Sequence, residues 1–393
     1  MRILFVSPRI CYPLDTGAKI RTYHLLKGLV KEHEVILLTF MEEGLNYELK
    51  KFGEGAKEIY SVRQPPIGLL YDSIRLGTSL IGGLPASIQR YSSYEMAKKI
   101  RELSSKVDIV HFDHIHTAQY IEEVKSGVFK NIDEHNVEWI ISKRLSKGES
   151  NPILKLLYLQ QSCSMRKYEK NRINLADMVT CCSEFDRERL LKLSPDKRIE
   201  VIPNGVDIGY FSEELDPIDE NHIVFTGSMD WLPNVEGAIW FYEKVLPLLK
   251  LKLDRVKVYI VGRAPLKKLK ELHNPPEFTV TGTVPDIRPY YKNALCLIVP
   301  LLSGGGTRLK ILEAMAAGCP VVSTKVGAEG INVENEKNLL IADSPEEFSS
   351  AIVRLKREKE LRERLINEGR KLVEENYSWE IISKRLAKIY SEI

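Results

Sequence analysis

Short apolar runs alternate with longer helical patterns along almost the whole chain, and this alternation constrains the fold more than any other feature. The runs are continuous stretches of Val, Ile and Leu, which is typical of strands covered on both faces. Strands that alternate with helices indicate parallel sheets in an α/β architecture. The pattern predicts strands near residues 3–6, 35–40, 58–62, 109–112, 131–133, 178–182, 199–202, 223–226, 256–261, 278–281, 295–299, 321–323 and 339–341.

A Pro-Asn-Gly turn at residues 203–205 divides the strands into two series. Each series begins with a strand, a loop that carries a glycine (Gly17 or Gly227) and a helix, which suggests two doubly wound Rossmann-like domains. We therefore expect an N-terminal domain over residues 1–205 and a C-terminal domain over residues 206–376. The length of 393 residues suits two such domains.

Composition excludes several classes of protein. A hydrophobic content of 44% and a charged content of 28% are ordinary for a globular chain, and a net charge of +3 does not favour nucleic acid as a partner. No apolar run approaches the ~20 residues of a membrane span, and the start of the chain resembles a strand more than a signal peptide. The cysteines show no C-x-x-C spacing, so reduced thiols in a cytoplasmic protein are expected.

The segment from Gly68 to Tyr94 mixes leucine and isoleucine with glycine and proline. It could be a mobile lid or a loop that touches a membrane, although packing between the domains is the simpler interpretation. Residues 1–205 carry more basic than acidic side chains, which would suit an anionic lipid surface or an anionic acceptor. Peripheral contact with the inner face of the membrane therefore stays open.

The most informative single segment lies between the predicted strand at 295–299 and a helical pattern from Thr307 to about Ala317. Between them stand three glycines: Gly304, Gly305 and Gly306. A flexible turn at a helix start presents unpaired N–H groups and the positive end of the helix dipole, which together bind anions. Arg308 and Lys310 would oppose that dipole unless an anion accompanied them.

Glu313 lies in an otherwise apolar part of the same helical pattern, where a carboxylate is costly to bury unless it is hydrogen-bonded. Phosphate at the glycine turn and sugar hydroxyls at Glu313 would suit a nucleotide diphosphate sugar. The alternative is a plain strand–helix connection whose basic side chains are solvated.

Four blocks of sequence carry a resemblance to a known family: IPNGVD at 202–207, FTGSMDWLPN at 225–234, TGTVPDIRPYY at 281–291 and GGGTRLKILEAMAAGCPVV at 304–322. Together they resemble glycosyltransferase family 4. The resemblance implies the GT-B fold, in which two Rossmann-like domains face each other across a cleft and a C-terminal helix, here about 377–393, crosses back to the first domain. It also implies a nucleotide diphosphate sugar as donor, retention of anomeric configuration, and neither a catalytic metal nor a cofactor.

The family's members build polysaccharides, glycolipids and other glycoconjugates, so a carbohydrate or lipid-linked acceptor is expected. Two features depart from the family pattern. Glu313 matches the second of two family glutamates, whereas Gly305 stands where the first would be. The loop that follows the strand at 223–226 lacks the usual Arg and Lys, so Arg308 and Lys310 would have to supply the positive charge for the diphosphate.

Several other donor-side residues are expected from their places after strands. The backbone N–H groups near Thr307 would add to the phosphate site, and Gly227 lies in the loop after the first strand of the second domain. Arg263 and Val284 lie in loops placed to touch the base. The Gly17 loop, residues 13–19, resembles the family's flexible loop beneath the donor sugar, or is a plain strand–helix connection.

The first domain offers a polar cluster, His111, Asp113 and His114, which we expect at or just past the end of the strand at 109–112. The family places a histidine in this loop facing the donor sugar, and His111 matches that position best. Metal binding is a rival interpretation because histidines and an aspartate can chelate, and a structural role is another. We expect no metal.

Glu134 and His135 end the next predicted strand and could position an acceptor hydroxyl or accept its proton. Capping of the following helix is an equally good interpretation. Lys19 and Arg21, at the start of the first helix, could meet phosphate or an anionic acceptor.

The sequence therefore predicts a retaining, metal-independent hexosyl- or other glycosyltransferase. An epimerase of similar build, acting on nucleotide sugars, is an alternative because Asp113, Glu134 and Glu313 could serve as acid and base. A nucleotide-sugar-binding scaffold that lost catalysis is another, because the first family glutamate is absent.

Overall fold

The computed structural model of the chain describes residues 1–41, 44–219, 221–303 and 307–393. Those residues form two compact units. Residues 1–204 and 379–393 make up the first unit, and residues 205–378 make up the second. Each unit is built on one parallel sheet.

The sheet of the first unit has the strand order β3-β2-β1-β4-β5-β6-β7, and every neighbouring pair is parallel. Its strands are β1 (Arg2–Ser7), β2 (Glu34–Met41), β3 (Glu58–Arg63), β4 (Ile109–Asp113), β5 (Phe129–Glu134), β6 (Met178–Cys181) and β7 (Ile199–Val201). The central strands are almost completely buried, as strands covered on both faces should be. The order reverses between β1 and β4, and open sheets of this kind bind ligands at the carboxyl ends of the strands beside such a reversal.

The sheet of the second unit repeats this plan with the order β10-β9-β8-β11-β12-β13, again parallel throughout. Its strands are β8 (Ile223–Thr226), β9 (Val258–Val261), β10 (Phe278–Gly282), β11 (Cys296–Val299), β12 (Val321–Ser323) and β13 (Leu340–Ile341). The reversal here falls between β8 and β11. Every predicted strand is present within one or two residues of its expected position, so the α/β interpretation is confirmed.

Polar side chains begin the main helices of the first unit. Thr16, Ser93 and Asn151 accept hydrogen bonds from backbone N–H groups at the starts of α1, α5 and α7, which satisfies donors that have no partner within the helix. The helices are α1 (Gly17–Glu32), α2 (Asn46–Phe52), α3 (Leu69–Leu80), α4 (Ala86–Gln89), α5 (Tyr94–Ser104), α6 (Glu138–Gly148), α7 (Pro152–Leu175) and α8 (Glu184–Leu191), with a 3₁₀ turn at Thr117–Glu123.

The helices of the second unit are α9 (Ile208–Ser212), α10 (Leu232–Trp240), α11 (Leu246–Lys250), α12 (Lys267–Lys270), α13 (Arg288–Tyr291), α14 (Leu309–Ala316), α15 (Pro345–Arg357) and α16 (Lys359–Asn376). A π-helical segment at Phe241–Val245 joins α10 to α11. Ser344 and Glu347 form a capping box at the start of α15. None of the helices in the described parts of the chain combines the length and the hydropathy that crossing a membrane requires.

The segment 68–94, expected to be buried by packing, forms α3 and α4 instead. Leu69 and Ile81 are 91% and 86% exposed, so the packing interpretation is wrong for these side chains. The segment is helical because its glycines fall at the ends of α3, apart from Gly77, which lies inside the helix.

The last helix, α17 (Trp379–Ser391), leaves the second unit and packs against α1 in the first. The His24 and Trp379 rings stack with centroids 4.8 Å apart. Gly28 allows the closest approach of the two helices, because a Cβ at this position would lie 2.0 Å from the Ser383 Cβ. A glycine is therefore required where α17 crosses α1.

Replacing Gly28 with alanine tests this helix contact. The added methyl group gains about 1 kcal/mol of helix propensity, but overpacking costs roughly 1–3 kcal/mol, so we expect α17 to detach more readily. Hydrogen exchange of the α17 amides should then become faster. Gly77→Ala is the matched control, because a Cβ at Gly77 meets nothing within 4 Å. Unchanged exchange in Gly28→Ala would contradict the tight crossing.

Candidate functional site

The reversal in the second sheet brings two loops together at the carboxyl ends of β8 and β11. The loop after β8 begins with Gly227, and the loop after β11 leads into α14. Gly304, Gly305 and Gly306, which were expected to form the phosphate turn, lie outside the described residues. The residues on either side of them form the part of the site that the structure describes.

Gly227 provides space for the amine of Lys310. Its φ is +150°, and a Cβ at this position would lie 2.8 Å from Lys310 Nζ and 2.7 Å from Asn234 Nδ2. The loop that follows β9 lies just as close to the Gly227 loop, because a Cβ on Gly262 would lie 1.6 Å from the Gly227 carbonyl oxygen. Neither position accepts a side chain without moving its neighbours.

Lys310 is a half-buried cation in this space. Its Nζ donates a hydrogen bond of 3.1 Å to Asn234 Oδ1 and lies 4.4 Å from the centroid of the Phe225 ring. Burial lowers the pKa of Lys310 to about 7, and the charge of Arg308 acts in the same direction, against the opposing effect of Glu313. Within the ranges that the structure describes, no carboxylate lies at ion-pair distance from this amine. An anionic ligand would therefore favour its protonated form.

Arg308 and Thr307 precede the helix. The structure starts α14 at Leu309, so the predicted start at Thr307 is wrong by two residues. Arg308 has φ −86° and ψ 87°, which is not helical, and its side chain is buried at the N-terminus of α14 instead of standing in the first turn. Thr307 Oγ1 is buried and finds no hydrogen-bond partner among the described residues. This hydroxyl is thus available to a ligand.

Glu313 is half-buried one helical turn beyond Lys310, and a tyrosine hydroxyl group holds its carboxylate. The buried Tyr291 hydroxyl donates to Glu313 Oε2 over 3.1 Å and also lies 3.0 Å from Thr226 Oγ1. Burial raises the pKa of Glu313, and the bond from Tyr291 and the charge of Lys310 oppose this. The carboxylate is therefore fixed in orientation. Sequence reasoning assigned no role to Tyr291 or Asn234, although both lie in the blocks that resemble family 4.

The residues expected near the base have ordinary surroundings. Arg263 donates to Ser228 Oγ over 3.2 Å, and its guanidinium lies 3.7 Å from Asp230. Val284 packs against the core of the second unit. Contact of Arg263 and Val284 with a base stays a prediction. Gly17 is the first residue of α1, so the predicted loop at 13–19 ends at Thr16.

In the first unit, His111 is not at the end of its strand as expected. It lies inside β4, fully buried, with its ring stacked on Phe5 at 4.5 Å. Its Nδ1 lies 2.6 Å from the Tyr390 hydroxyl of α17. Burial lowers the pKa of His111. The strand continues to Asp113, so the position that best matched the family histidine belongs to the core beneath α17.

Asp113 and Asp133, at the ends of β4 and β5, hold His135 between them. His135 Nε2 lies 2.9 Å from Asp113 Oδ1 and 3.3 Å from Asp133 Oδ2. Burial works against the charged form of His135, but the two carboxylates outweigh it and raise its pKa. His135 therefore organises the carboxylates through Nε2, whereas its buried Nδ1 finds no hydrogen-bond partner among the described residues. An acceptor-side role for His135 stays a prediction.

Arg21 completes this network. It makes a two-point ion pair with Asp133, at 2.9 and 2.7 Å, and donates to the Ile202 carbonyl over 2.8 Å. Burial alone would raise the pKa of Asp133, but Arg21 and His135 hold it well below its usual value. The expectation that Arg21 meets phosphate or an acceptor is wrong, because the side chain is 1% exposed. Lys19 pairs with Asp15 at 2.9 Å.

His111, Asp113 and Asp133 offer ligand atoms within 4.8 Å of one another, which resembles a metal site. The chemistry of the group does not suit one. The oxygens of Asp133 are already bound by Arg21, His135 and Thr180, and those of Asp113 by Thr22, Ser7 and His135. A metal ion would have to displace an arginine and a histidine, so these residues do not form a fitting cation site.

His114 lies at the carboxyl end of β4, in a backbone conformation that is uncommon for a residue with a side chain (φ 74°). Its Nδ1 lies 2.6 Å from His116 Nδ1, and its Nε2 lies 3.6 Å from Glu138 Oε1. Burial holds the pKa of His114 well below its usual value and lowers that of His116 to about 3, so both rings are neutral. His116 belongs to the same polar stretch of the sequence, and the backbone turn at His114 brings the two rings together.

Glu134 is buried, and neither carboxylate oxygen has a hydrogen-bond partner in the part of the chain that the structure describes. Burial raises its pKa well above the usual value, and neighbouring Glu169 adds to the effect. The helix-capping interpretation of Glu134 and His135 is wrong, because Glu169 accepts the N–H groups of Glu138 and Trp139 at the start of α6. An acceptor-side role for Glu134 stays a prediction.

Comparisons with known proteins identify the family. Residues 220–358 match the family described as Glycosyl transferases group 1, and residues 155–210 match Glycosyltransferase Family 4. A Klebsiella pneumoniae protein, described as an uncharacterized 44.6 kDa protein in cps region, is 24% identical over 373 residues, which is 90% of each chain. Together these matches support a glycosyltransferase of the family 4 type.

Solved structures of other proteins share the fold of this glycosyltransferase. Sucrose-phosphate synthase from Thermosynechococcus elongatus matches 100% of this chain and 98% of its own with a TM-score of 0.72 at 18% identity. Anabaena HepE in complex with UDP matches 100% of both chains with a TM-score of 0.71 at 13% identity. At these identities the likeness establishes the GT-B fold. A further HepE structure contains UDP-glucose.

The ionisation of Lys310 is directly testable. We expect its amine to titrate near pH 7, since burial and Arg308 both disfavour the charge. Arg308→Gln should raise the Lys310 pKa, and Glu313→Gln should lower it further. Reductive methylation with isotope-labelled formaldehyde, followed by NMR across a pH series, would report each value. A Lys310 signal that titrates with the surface lysines would contradict the assignment.

Proposed function

We propose that this glycosyltransferase moves a sugar from a nucleotide diphosphate sugar to an acceptor hydroxyl, with retention of configuration and without a metal or cofactor. One observation carries the proposal. The Lys310 amine sits over Phe225 and against Asn234 at the strand reversal of the second unit, half-buried beside Arg308. The presence of UDP and UDP-glucose in structures of HepE, which shares the fold, supports a ligand of this class.

The negative charge of the leaving group has to be stabilised by the protein. The bond between the anomeric carbon and the diphosphate breaks, the acceptor oxygen bonds to that carbon, and a phosphate oxygen takes the acceptor's proton. Preorganised donors stabilise the departing negative charge. We assign this work to Lys310, Arg308 and the Thr307 hydroxyl, with the backbone N–H groups at 304–306 as further expected donors.

Glu313 would accept hydrogen bonds from the ribose hydroxyls of the donor. Its burial is costly without such partners, and Tyr291 satisfies one oxygen only. The hydroxyl chain from Thr226 through Tyr291 would fix the carboxylate so that it selects one orientation of the nucleoside. Arg263 and Val284 remain the proposed neighbours of the base, and Gly227 the position that lets the diphosphate approach Lys310.

For the first unit we propose a catalytic role for His114. It follows β4 at the reversal of that sheet and is neutral, so it can share a hydrogen bond without repelling a cationic transition state. Asp113 would act through His135 as a positioning residue. His111 would support the strand from within the core. Glu134 would serve the acceptor side only if a bound acceptor reaches its unpartnered oxygens.

The acceptor would be a carbohydrate or lipid-linked hydroxyl in polysaccharide, glycolipid or other glycoconjugate biosynthesis. Retention requires the acceptor to attack from the face that the diphosphate leaves. The product's anomeric configuration, read by NMR, tests this part separately. Transfer that survives chelation of divalent ions is the expected result for a metal-independent enzyme, and loss that added metal restores would contradict it.

Substitution of Lys310 tests the assigned chemistry. A thermal-shift screen over nucleoside diphosphates and their sugars first identifies the donor, since ligands that bind only the folded state stabilise it. Lys310→Met keeps the packing on Phe225 but removes the charge, so kcat should fall by about 100-fold, corresponding to about 3 kcal/mol of lost barrier stabilisation. Glu313→Gln should raise KM more than it lowers kcat. Lys337→Met, at a surface ion pair of the same unit, is the matched control.

The same assay separates the alternatives. Normal transfer by Lys310→Met would contradict the diphosphate assignment. An epimerised sugar formed from donor without any acceptor would favour the epimerase. Tight donor binding with no transfer across a broad acceptor panel would favour a binding scaffold.

A further inference from the structure

Helix α3 exposes an unusual amount of apolar surface. Leu69, Leu70, Ile74 and Leu80 are 91%, 70%, 55% and 50% exposed, and Ile81, which follows the helix, is 86% exposed. Single exposed apolar side chains are common, but a cluster along one short helix indicates an interaction surface. Neither the fold nor the proposed transfer chemistry uses these residues.

The beginning of α7 continues this surface. Ile153 and Leu156 are 77% and 69% exposed, and they share one helical face with Gln160 because the spacing is three and four residues. Gln160 in turn donates to the Ser79 carbonyl near the end of α3, over 3.1 Å. The two helices therefore contact each other. Their exposed apolar side chains are here named the α3–α7 face: Leu69, Leu70, Ile74, Leu80, Ile81, Ile153 and Leu156.

Apart from Asp72, which pairs with Arg75 at 2.9 Å, the exposed charged side chains of α3, α6 and α7 are basic. Residues 138–170, which form α6 and most of α7, expose six basic side chains and no acidic one: Lys143, Lys147, Lys155, Arg166, Lys167 and Lys170. Of the acidic residues in this stretch, Glu169 is buried, and Glu138 and Glu149 are partly covered. Lys155 lies in the same helical turn as Ile153 and Leu156. The region thus combines apolar side chains with an excess of positive charge.

This combination selects one kind of partner. Helices that present apolar side chains beside basic ones lie in the surface of a bilayer that contains anionic lipid, with the apolar groups inserted and the bases at the headgroups. A second copy of the chain would bring like charges together, which is unfavourable. We propose that the α3–α7 face docks the enzyme on the surface of an anionic membrane.

Vesicle binding by the full chain tests the docking surface. The protein should float with vesicles of phosphatidylcholine and phosphatidylglycerol, bind pure phosphatidylcholine weakly, and detach as salt is added. Leu69→Ser/Ile81→Ser and Ile153→Ser/Leu156→Ser should each weaken binding by about tenfold or more, since two exposed apolar side chains lose their inserted area. Lys147→Glu/Lys155→Glu should remove the preference for the anionic lipid.

Leu251→Ser is the matched control, because Leu251 is 83% exposed but lies in the second unit. It should bind vesicles like the unchanged protein. No binding to either vesicle, or equal loss in the control, would overturn the proposal. Self-association that the serine variants abolish, without vesicle binding, would assign the face to a second copy. Binding requires no donor, so this result is independent of the transfer reaction.

Discussion

The central constraint in this structure is the placement of one amine. Lys310 Nζ lies in a space that Gly227 leaves open, over the Phe225 ring and against Asn234, and burial lowers its pKa to about 7. A lysine in this position loses solvation free energy in the unliganded protein, and a bound anion compensates for that loss. The loops at Gly227 and Gly262 and the Tyr291 hydroxyl that orients Glu313 belong to the same site as this amine. The geometry therefore favours an anionic ligand over a neutral one.

The two sheets could be predicted from the sequence because their strands are short, continuous apolar runs bounded by turn residues. Each strand of a parallel sheet is buried on both faces, so its pattern depends little on its neighbours. Short, right-handed connections also restrict the strand order in each unit to a few possibilities. The strand pattern also located the polar residues at the ends of β4 and β5, since the carboxyl ends of parallel strands share one edge of a sheet.

The features that could not be predicted from the sequence depend on tertiary contacts. His111 was expected at a strand end, but β4 continues past it and α17, from the far end of the chain, places Tyr390 on its ring nitrogen. Arg21 was expected to meet a ligand, but a carboxylate more than a hundred residues away binds it. The start of α14 was misplaced because Arg308 has a non-helical backbone that no local signal marks. Tyr291 became informative only through its contact with Glu313.

Proton uptake on binding tests the central claim most directly. Calorimetry of the selected nucleoside diphosphate, in buffers of different ionisation enthalpy at a pH above the Lys310 pKa, counts the protons that binding takes up. If the diphosphate contacts Lys310, the amine gains a proton, so uptake should approach one and Lys310→Met should abolish it. Tight binding without uptake, or uptake that persists in Lys310→Met, would contradict the account.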